Sequence, residues 1–118
     1  MLFIFVSVVL ILILILKPSS PPSDIDFDYK NGTVLFYYGE TCPHCRIVEN
    51  YIAQNSLDSK ITIISKEVYK NKDNQNELFH VGDLCKINRN MLGVPLIFYN
   101  GDCFIGDANG IELLKSLV

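Results

Sequence analysis

An apolar run opens the chain, and mixed hydrophobic–polar patterns fill the rest. Residues 2–16 are apolar apart from Ser7. Because an α-helix rises about 1.5 Å per residue, the run spans about 22 Å, less than the roughly 30 Å of a bilayer core. Such a length is typical of a signal peptide or of a short membrane anchor. Prolines at 18, 21 and 22 and the absence of an Ala-x-Ala-like site argue against cleavage. We therefore expect an uncleaved hydrophobic helix that anchors the chain, with a cleaved signal peptide as the alternative.

Three segments follow from this pattern. Residues 1–16 are assigned to the signal anchor or signal peptide, residues 17–27 to a Pro/Ser-rich linker, and residues 28–118 to a folded domain. About 90 residues are enough for one small hydrophobic core. Lys17, directly after the apolar run, favours a cytoplasmic domain. Four cysteines behind an export-like segment favour an oxidising space instead, so we expect an extracytoplasmic domain, periplasmic or at the cell surface, and secreted if the segment is cleaved.

The apolar positions of the domain predict the element order β-α-β-α-β-β-α. We expect strands over residues 33–38, 60–69, 96–99 and 102–105, and helices over residues 43–55 and 109–117. A further helix is predicted after a capping box formed by Asn74 and Glu77, with Leu84 among its inward positions. Asn100-Gly101 predicts a hairpin between the last two strands.

The segment after the first strand carries the chemistry. Cys42 and Cys45 are separated by two residues, and Pro43 suits the first position of the helix that follows. At a helix N-terminus, unpaired N–H groups and the helix dipole favour the Cys42 thiolate, so Cys42 is the expected nucleophile and Cys45 the resolving thiol. His44 can add positive charge as a modulator, whereas the carboxylate of Glu40 opposes the thiolate.

The other two cysteines, Cys85 and Cys103, lie 18 positions apart. They are either buried free thiols or a second disulfide. They do not form the second close pair that a zinc site would need, so we expect neither a metal nor another cofactor. A net charge of −3 without a basic block gives no reason to expect a nucleic-acid partner.

Residues 42–45, Cys-Pro-His-Cys after a strand, together with Val94-Pro95 before a hairpin, resemble the thioredoxin superfamily. The compact element order is similar to that of glutaredoxins, and the Pro-His dipeptide is similar to that of the oxidising DsbA proteins. The resemblance implies an α/β thioredoxin-like fold with a four-stranded mixed sheet flanked by helices. It also implies that Pro95 is cis beside the cysteines and that the Val94 backbone docks substrate.

These observations predict a thiol–disulfide oxidoreductase that exchanges disulfides with the thiols of exported proteins through Cys42 and Cys45. A membrane or soluble redox partner would recycle the pair. Two alternatives stay open: a glutaredoxin-like reductase that faces the cytoplasm, and a binding module that is redox-inert or holds zinc.

Overall fold

The computed structural model describes Ile4 and residues 29–118. The predictions for the apolar run and the linker lie outside this part of the chain. Within the described part, the strands are β1 (Thr33–Tyr38), β2 (Thr62–Glu67), β3 (Leu96–Tyr99) and β4 (Asp102–Ile105), and the helices are α1 (Pro43–Gln54), α2 (Lys72–Leu84) and α3 (Asp107–Ser116). The α/β class and the predicted order of elements are confirmed.

The described residues include no helix that combines the length and the apolar character needed to cross a membrane.

The four strands form one mixed sheet in the order β2-β1-β3-β4. β1 pairs in parallel with β2, and antiparallel with β3, which in turn pairs antiparallel with β4. β1 is therefore a central strand, and its residues 34–37 are buried on both faces of the sheet. This explains its continuous run of apolar and aromatic residues, since a strand covered on both sides has no polar face.

Two hydrophobic cores lie on opposite faces of the sheet. The first contains Val34 and Phe36 of β1 with the inner faces of α1 and α3, and it includes both Cys42 and Cys45. The second contains Leu35 and Tyr37 of β1 with the inner face of α2. Because side chains alternate along β1, one face of the strand contributes to the core that contains the cysteine pair, and the other face contributes to the core beneath α2.

The hairpin prediction is confirmed. Asn100 and Gly101 both have positive φ, +48° and +89°, as the tightest hairpin turns require. The Asn100 side-chain oxygen also accepts a 2.7 Å hydrogen bond from the Gly32 N–H, which ties the turn to the residue before β1.

Three predicted details are wrong at the ends of elements. The cap of α2 is Asn71, whose side chain accepts a hydrogen bond from the Asn74 N–H, so Asn74 is the third residue of the helix and not its cap. Leu84, the last residue of α2, is 50% exposed and does not point inward. β2 is shorter than predicted and ends at Glu67, whose carboxylate accepts a hydrogen bond from the Lys70 N–H in the loop that follows.

Candidate functional site

Cys42 and Cys45 form a disulfide at the N-terminus of α1. Cys42 is the N-cap residue, and its sulfur accepts a 3.2 Å hydrogen bond from the Cys45 N–H. Pro43 follows as the first helical residue, where its missing N–H costs no hydrogen bond. Cys42 retains 6% of its surface while Cys45 is fully buried. The Cys42 sulfur is therefore the one that an incoming thiol can reach.

The Val94–Pro95 peptide lies beside this pair although it is about fifty residues away in the chain. The peptide bond is cis, and the Val94 carbonyl oxygen lies 3.8 Å from the Cys42 sulfur. Pro95 is buried, and its carbonyl accepts a 2.9 Å hydrogen bond from the Gly106 N–H, which fixes the segment to the start of α3. Three loops thus meet at Cys42: the start of α1, the segment before β3 and the start of α3.

His44 contacts the start of α3. Its Nδ1 lies 2.9 Å from Oδ2 of Asp107, the first residue of that helix. The His44 side chain is 70% exposed, and that of Asp107 is 27% exposed. The hydrogen bond from His44 and a second from the Ala108 N–H hold the pKa of Asp107 below its usual value of 3.8. The carboxylate next to His44 is therefore ionised at neutral pH.

Glu40 is also paired, which alters the expectation that it opposes the Cys42 thiolate. Its carboxylate lies 2.5 Å from the Lys70 ammonium, so a positive charge offsets its field. Glu67 holds the backbone of this loop and of the loop after β2, since its carboxylate accepts hydrogen bonds from the N–H groups of Glu40 at 2.9 Å and of Lys70 at 2.6 Å. The bond from Lys70 is the main reason that the pKa of Glu67 lies below its ordinary value.

Gly39 shows how closely this loop packs on its neighbour. A β-carbon at Gly39 would lie 2.2 Å from the Tyr69 ring, so only glycine lets the ring rest on the backbone just before the cysteine motif. Tyr69 also lines a cleft of about 340 Å³ beside Gly93 and Val94. The loop after β2, which contains Tyr69, and the segment before the cis-proline therefore border the same cleft.

A half-buried polar cluster lies on the face of the sheet opposite the disulfide. The Tyr37 hydroxyl donates a 2.7 Å hydrogen bond to Glu77, and the Lys66 ammonium lies 2.6 Å from the same carboxylate. Burial and the adjacent carboxylate raise the pKa of Tyr37 far above its usual value. Tyr37 belongs to the core opposite the one that holds the cysteine pair, so this cluster supports the sheet and does not contact the disulfide.

The other two cysteines are also bonded. Cys85, at the C-cap of α2, forms a disulfide with Cys103 of β4. Both residues are half-buried and line a surface cavity of about 710 Å³. Within the described residues, no group of three or more His, Cys, Asp or Glu side chains is arranged to hold a metal ion.

Comparison with known proteins places this architecture. No protein-family model matches the chain, and no curated protein matches it. A crystal structure of a glutaredoxin from Archaeoglobus fulgidus superposes with a TM-score of 0.52 and 17% identity, over 83% of this chain and 97% of that one. The fold is that of a glutaredoxin. This likeness confirms the thioredoxin-like fold that the sequence predicts.

Two further glutaredoxin structures show weaker similarity. Oxidised glutaredoxin from Chlamydomonas reinhardtii gives a TM-score of 0.47 and 22% identity, over 70% of this chain and 71% of that one. A dithiolic glutaredoxin from Trypanosoma brucei brucei gives a TM-score of 0.47 and 23% identity, over 73% and 78%.

In this glutaredoxin-type fold, the site has the parts that disulfide exchange needs. One sulfur, that of Cys42, is accessible, and a second, that of Cys45 three positions further on, is shielded. A backbone N–H points at the accessible sulfur, where it can stabilise a thiolate. The carbonyl oxygen of Val94 lies beside it.

Three residues that shape this site, Glu67, Lys70 and Asp107, could not be identified from the sequence. Each acts across the fold, and the separation of 63 residues between His44 and Asp107 leaves no periodic signal. The sequence pattern predicts that the last helix begins at residue 109, whereas α3 begins two residues earlier, at Asp107. An acidic residue in the first turn of a helix is favoured by the helix dipole, and this was the signal that could have extended the helix to Asp107.

Proposed function

We propose that this protein is a thiol–disulfide oxidoreductase that acts on protein thiols and disulfides through Cys42 and Cys45. The observation that carries the proposal is the disulfide at the N-terminus of α1, with Cys42 beside the Val94 carbonyl and Cys45 buried behind it. The glutaredoxin-type fold supports the same conclusion.

The exchange proceeds in two displacements. A substrate thiolate attacks the Cys42 sulfur, the Cys42–Cys45 bond breaks, and its electron pair leaves on the Cys45 sulfur. This gives a mixed disulfide between substrate and Cys42. A second substrate thiolate then attacks the substrate sulfur of that mixed disulfide and releases Cys42 as a thiolate. The substrate gains a disulfide, and the protein is left with two thiols that a redox partner must reoxidise.

The site favours the Cys42 thiolate as a leaving group. Cys42 lies at the positive end of the α1 dipole, and the Cys45 N–H already points at its sulfur. The opposing charge of Glu40 is offset by Lys70. A stabilised thiolate makes the reduced protein more stable and the disulfide more oxidising. These features support oxidation of substrate thiols as the direction of the reaction.

The docking of substrate belongs to the same proposal. An extended substrate segment can pair with the backbone of Val94, whose carbonyl oxygen lies next to Cys42. Backbone pairing does not depend on side chains, so it suits an enzyme that acts on many proteins. The compartment is the extracytoplasmic face of a membrane, with residues 1–16 as the anchor.

A trapping experiment tests the activity. Cys45→Ser removes the resolving thiol, so we expect this variant to accumulate mixed disulfides with substrate proteins through Cys42. Cys42→Ser keeps the buried thiol but loses the accessible one, and serves as the matched control. Equal trapping by the two variants, or none by either, would contradict the proposal.

A second candidate is a reductase that faces the cytoplasm. The glutaredoxin-type fold and the single positive charge of Lys17 after the apolar run favour it. External protease on intact cells, or on cells with a permeabilised outer membrane, separates the two. Digestion of the domain supports the extracytoplasmic proposal, and full protection supports the reductase.

A further inference from the structure

The contact between His44 and Asp107 joins the cysteine motif to α3. α3 packs closely on the sheet and on α1 because Gly110 faces both: a β-carbon at Gly110 would lie 3.2 Å from the Ile97 side chain of β3 and 4.0 Å from the Val48 side chain of α1. This close approach brings the first residue of α3 within hydrogen-bond distance of the first turn of α1. The sequence alone gives no reason for these two residues to meet.

Both oxygens of the Asp107 carboxylate are engaged. Oδ1 accepts a 2.7 Å hydrogen bond from the Ala108 N–H, and Oδ2 lies 2.9 Å from Nδ1 of His44. An ionised carboxylate can only accept hydrogen bonds, so Nδ1 of His44 must carry the proton. In the neutral ring, Nε2 then holds the lone pair. Asp107 therefore fixes both the orientation of the imidazole and the nitrogen that can accept a proton.

We propose that Asp107 is a positioning residue that holds His44 as the proton carrier for exchange at Cys42 and Cys45, an inference that rests on the function proposed above. The exchange needs such a group because the attacking thiol must lose a proton to become a nucleophile. Cys45 is fully buried, so its sulfur offers no exposed group to take that proton. Glu40, the other carboxylate of the motif region, is paired with Lys70.

The proposed step balances as follows. The substrate thiol gives its proton to Nε2 of His44, and its sulfur attacks the Cys42 sulfur. The Cys42–Cys45 bond breaks, the electron pair goes to the Cys45 sulfur, which leaves as a thiolate, and the proton stays on Nε2 of His44. One substrate thiol, one neutral imidazole and one protein disulfide thus become one mixed disulfide, one Cys45 thiolate and one protonated imidazole. The exposed position of His44, two residues after Cys42, leaves its ring open to an incoming thiol.

The test compares the full chain with Asp107→Asn in two backgrounds, wild type and His44→Ala. The oxidised proteins react with a synthetic dithiol peptide, and samples are quenched with acid, alkylated and mapped by mass spectrometry to follow Cys42 and Cys45 alone. We expect D107N to slow the reaction about fivefold, a factor within the range that exposed pairs contribute. In the H44A background the same change should have no further effect.

Two additional readouts separate proton transfer from a structural role. A proton carrier speeds the forward and reverse reactions equally, so D107N should leave the equilibrium constant with the peptide unchanged. Asp107→Glu keeps the charge and should restore most of the rate. Asp83→Asn removes another exposed carboxylate, one paired with Arg89 at 3.2 Å, and should have no effect.

The outcomes distinguish the two proposals. Suppose that the wild-type protein oxidises the peptide. The inference about Asp107 is then wrong, and the proposed function stands, if D107N reacts at the wild-type rate, if D107N slows the reaction by the same factor in the H44A background, or if D107N shifts the equilibrium constant fivefold. If wild type leaves the peptide reduced and forms no mixed disulfide, both are wrong.

Discussion

The disulfide between Cys85 and Cys103 gives a prediction that does not depend on catalysis. It joins the end of α2 to β4 and closes a loop of 18 positions. Closing a loop of this length lowers the entropy of the unfolded chain, which corresponds to about 3 kcal/mol of stability. Since small domains have a free energy of unfolding of about 5–15 kcal/mol, reduction of this one bond should remove a large share of it.

Reduction by dithiothreitol breaks the Cys85–Cys103 bond without a substitution at either residue. In a Cys42→Ala, Cys45→Ala background the chain retains only Cys85 and Cys103, so dithiothreitol acts on that bond alone. Urea unfolding of the full chain, followed by tyrosine fluorescence, gives the free energy with and without the reductant. For a slope of about 1 kcal/mol/M, we expect the midpoint to fall by about 3 M on reduction.

The control adds Cys85→Ala and Cys103→Ala to the same background, and its midpoint should not respond to dithiothreitol. A reduction-dependent shift below about 1 M would refute the reasoning, because loop closure would then contribute less than a third of the expected stability. So would an equal shift in the control, which would show that dithiothreitol acts on something other than the bond.

Two further predictions concern carboxylates. Glu77→Ala leaves the buried Tyr37 hydroxyl and the Lys66 ammonium without their shared acceptor, so we expect the free energy of unfolding to fall by about 2–3 kcal/mol. Tyr37→Phe leaves the ion pair intact and should lower it by about 1 kcal/mol. Equal losses for the two variants in urea unfolding would contradict this account. The pKa of Glu67 is lower in the folded state than its ordinary 4.5, so its contribution to stability is complete above that value and is lost as the pH falls through the folded pKa. Glu67→Gln should therefore lower the melting temperature at pH 7 and converge with wild type in acid, and a constant difference across the pH range would rule this out.

The elements and their order could be predicted because local patterns encode them. The apolar run of β1 reflects burial on both faces, and Asn100-Gly101 supplies the positive φ angles of the hairpin. Cys42 and Cys45 could be identified in the same way, since their spacing after a strand and before a helix is a local signal.

The contacts that tune the site could not be predicted, because they join residues that are distant in the chain. The pairing of Glu40 with Lys70 depends on where β2 ends, and that of His44 with Asp107 depends on how closely α3 packs on α1. The choice of Asn71 over Asn74 as the cap of α2 has a different origin. Both residues are good caps, and only the path of the loop after β2 decides between them.

The central claim is that Cys42 and Cys45 form a reversible redox pair, and its most direct test is an equilibrium redox titration. The full chain would be equilibrated in thiol–disulfide buffers of graded potential, then acid-quenched, alkylated and mapped for each cysteine pair. We expect the Cys42–Cys45 pair to interconvert fully and reversibly at a potential between about −270 and −120 mV, as redox-active pairs do. A pair that fails to cycle, or one that stays oxidised below about −300 mV as structural disulfides do, would contradict the account.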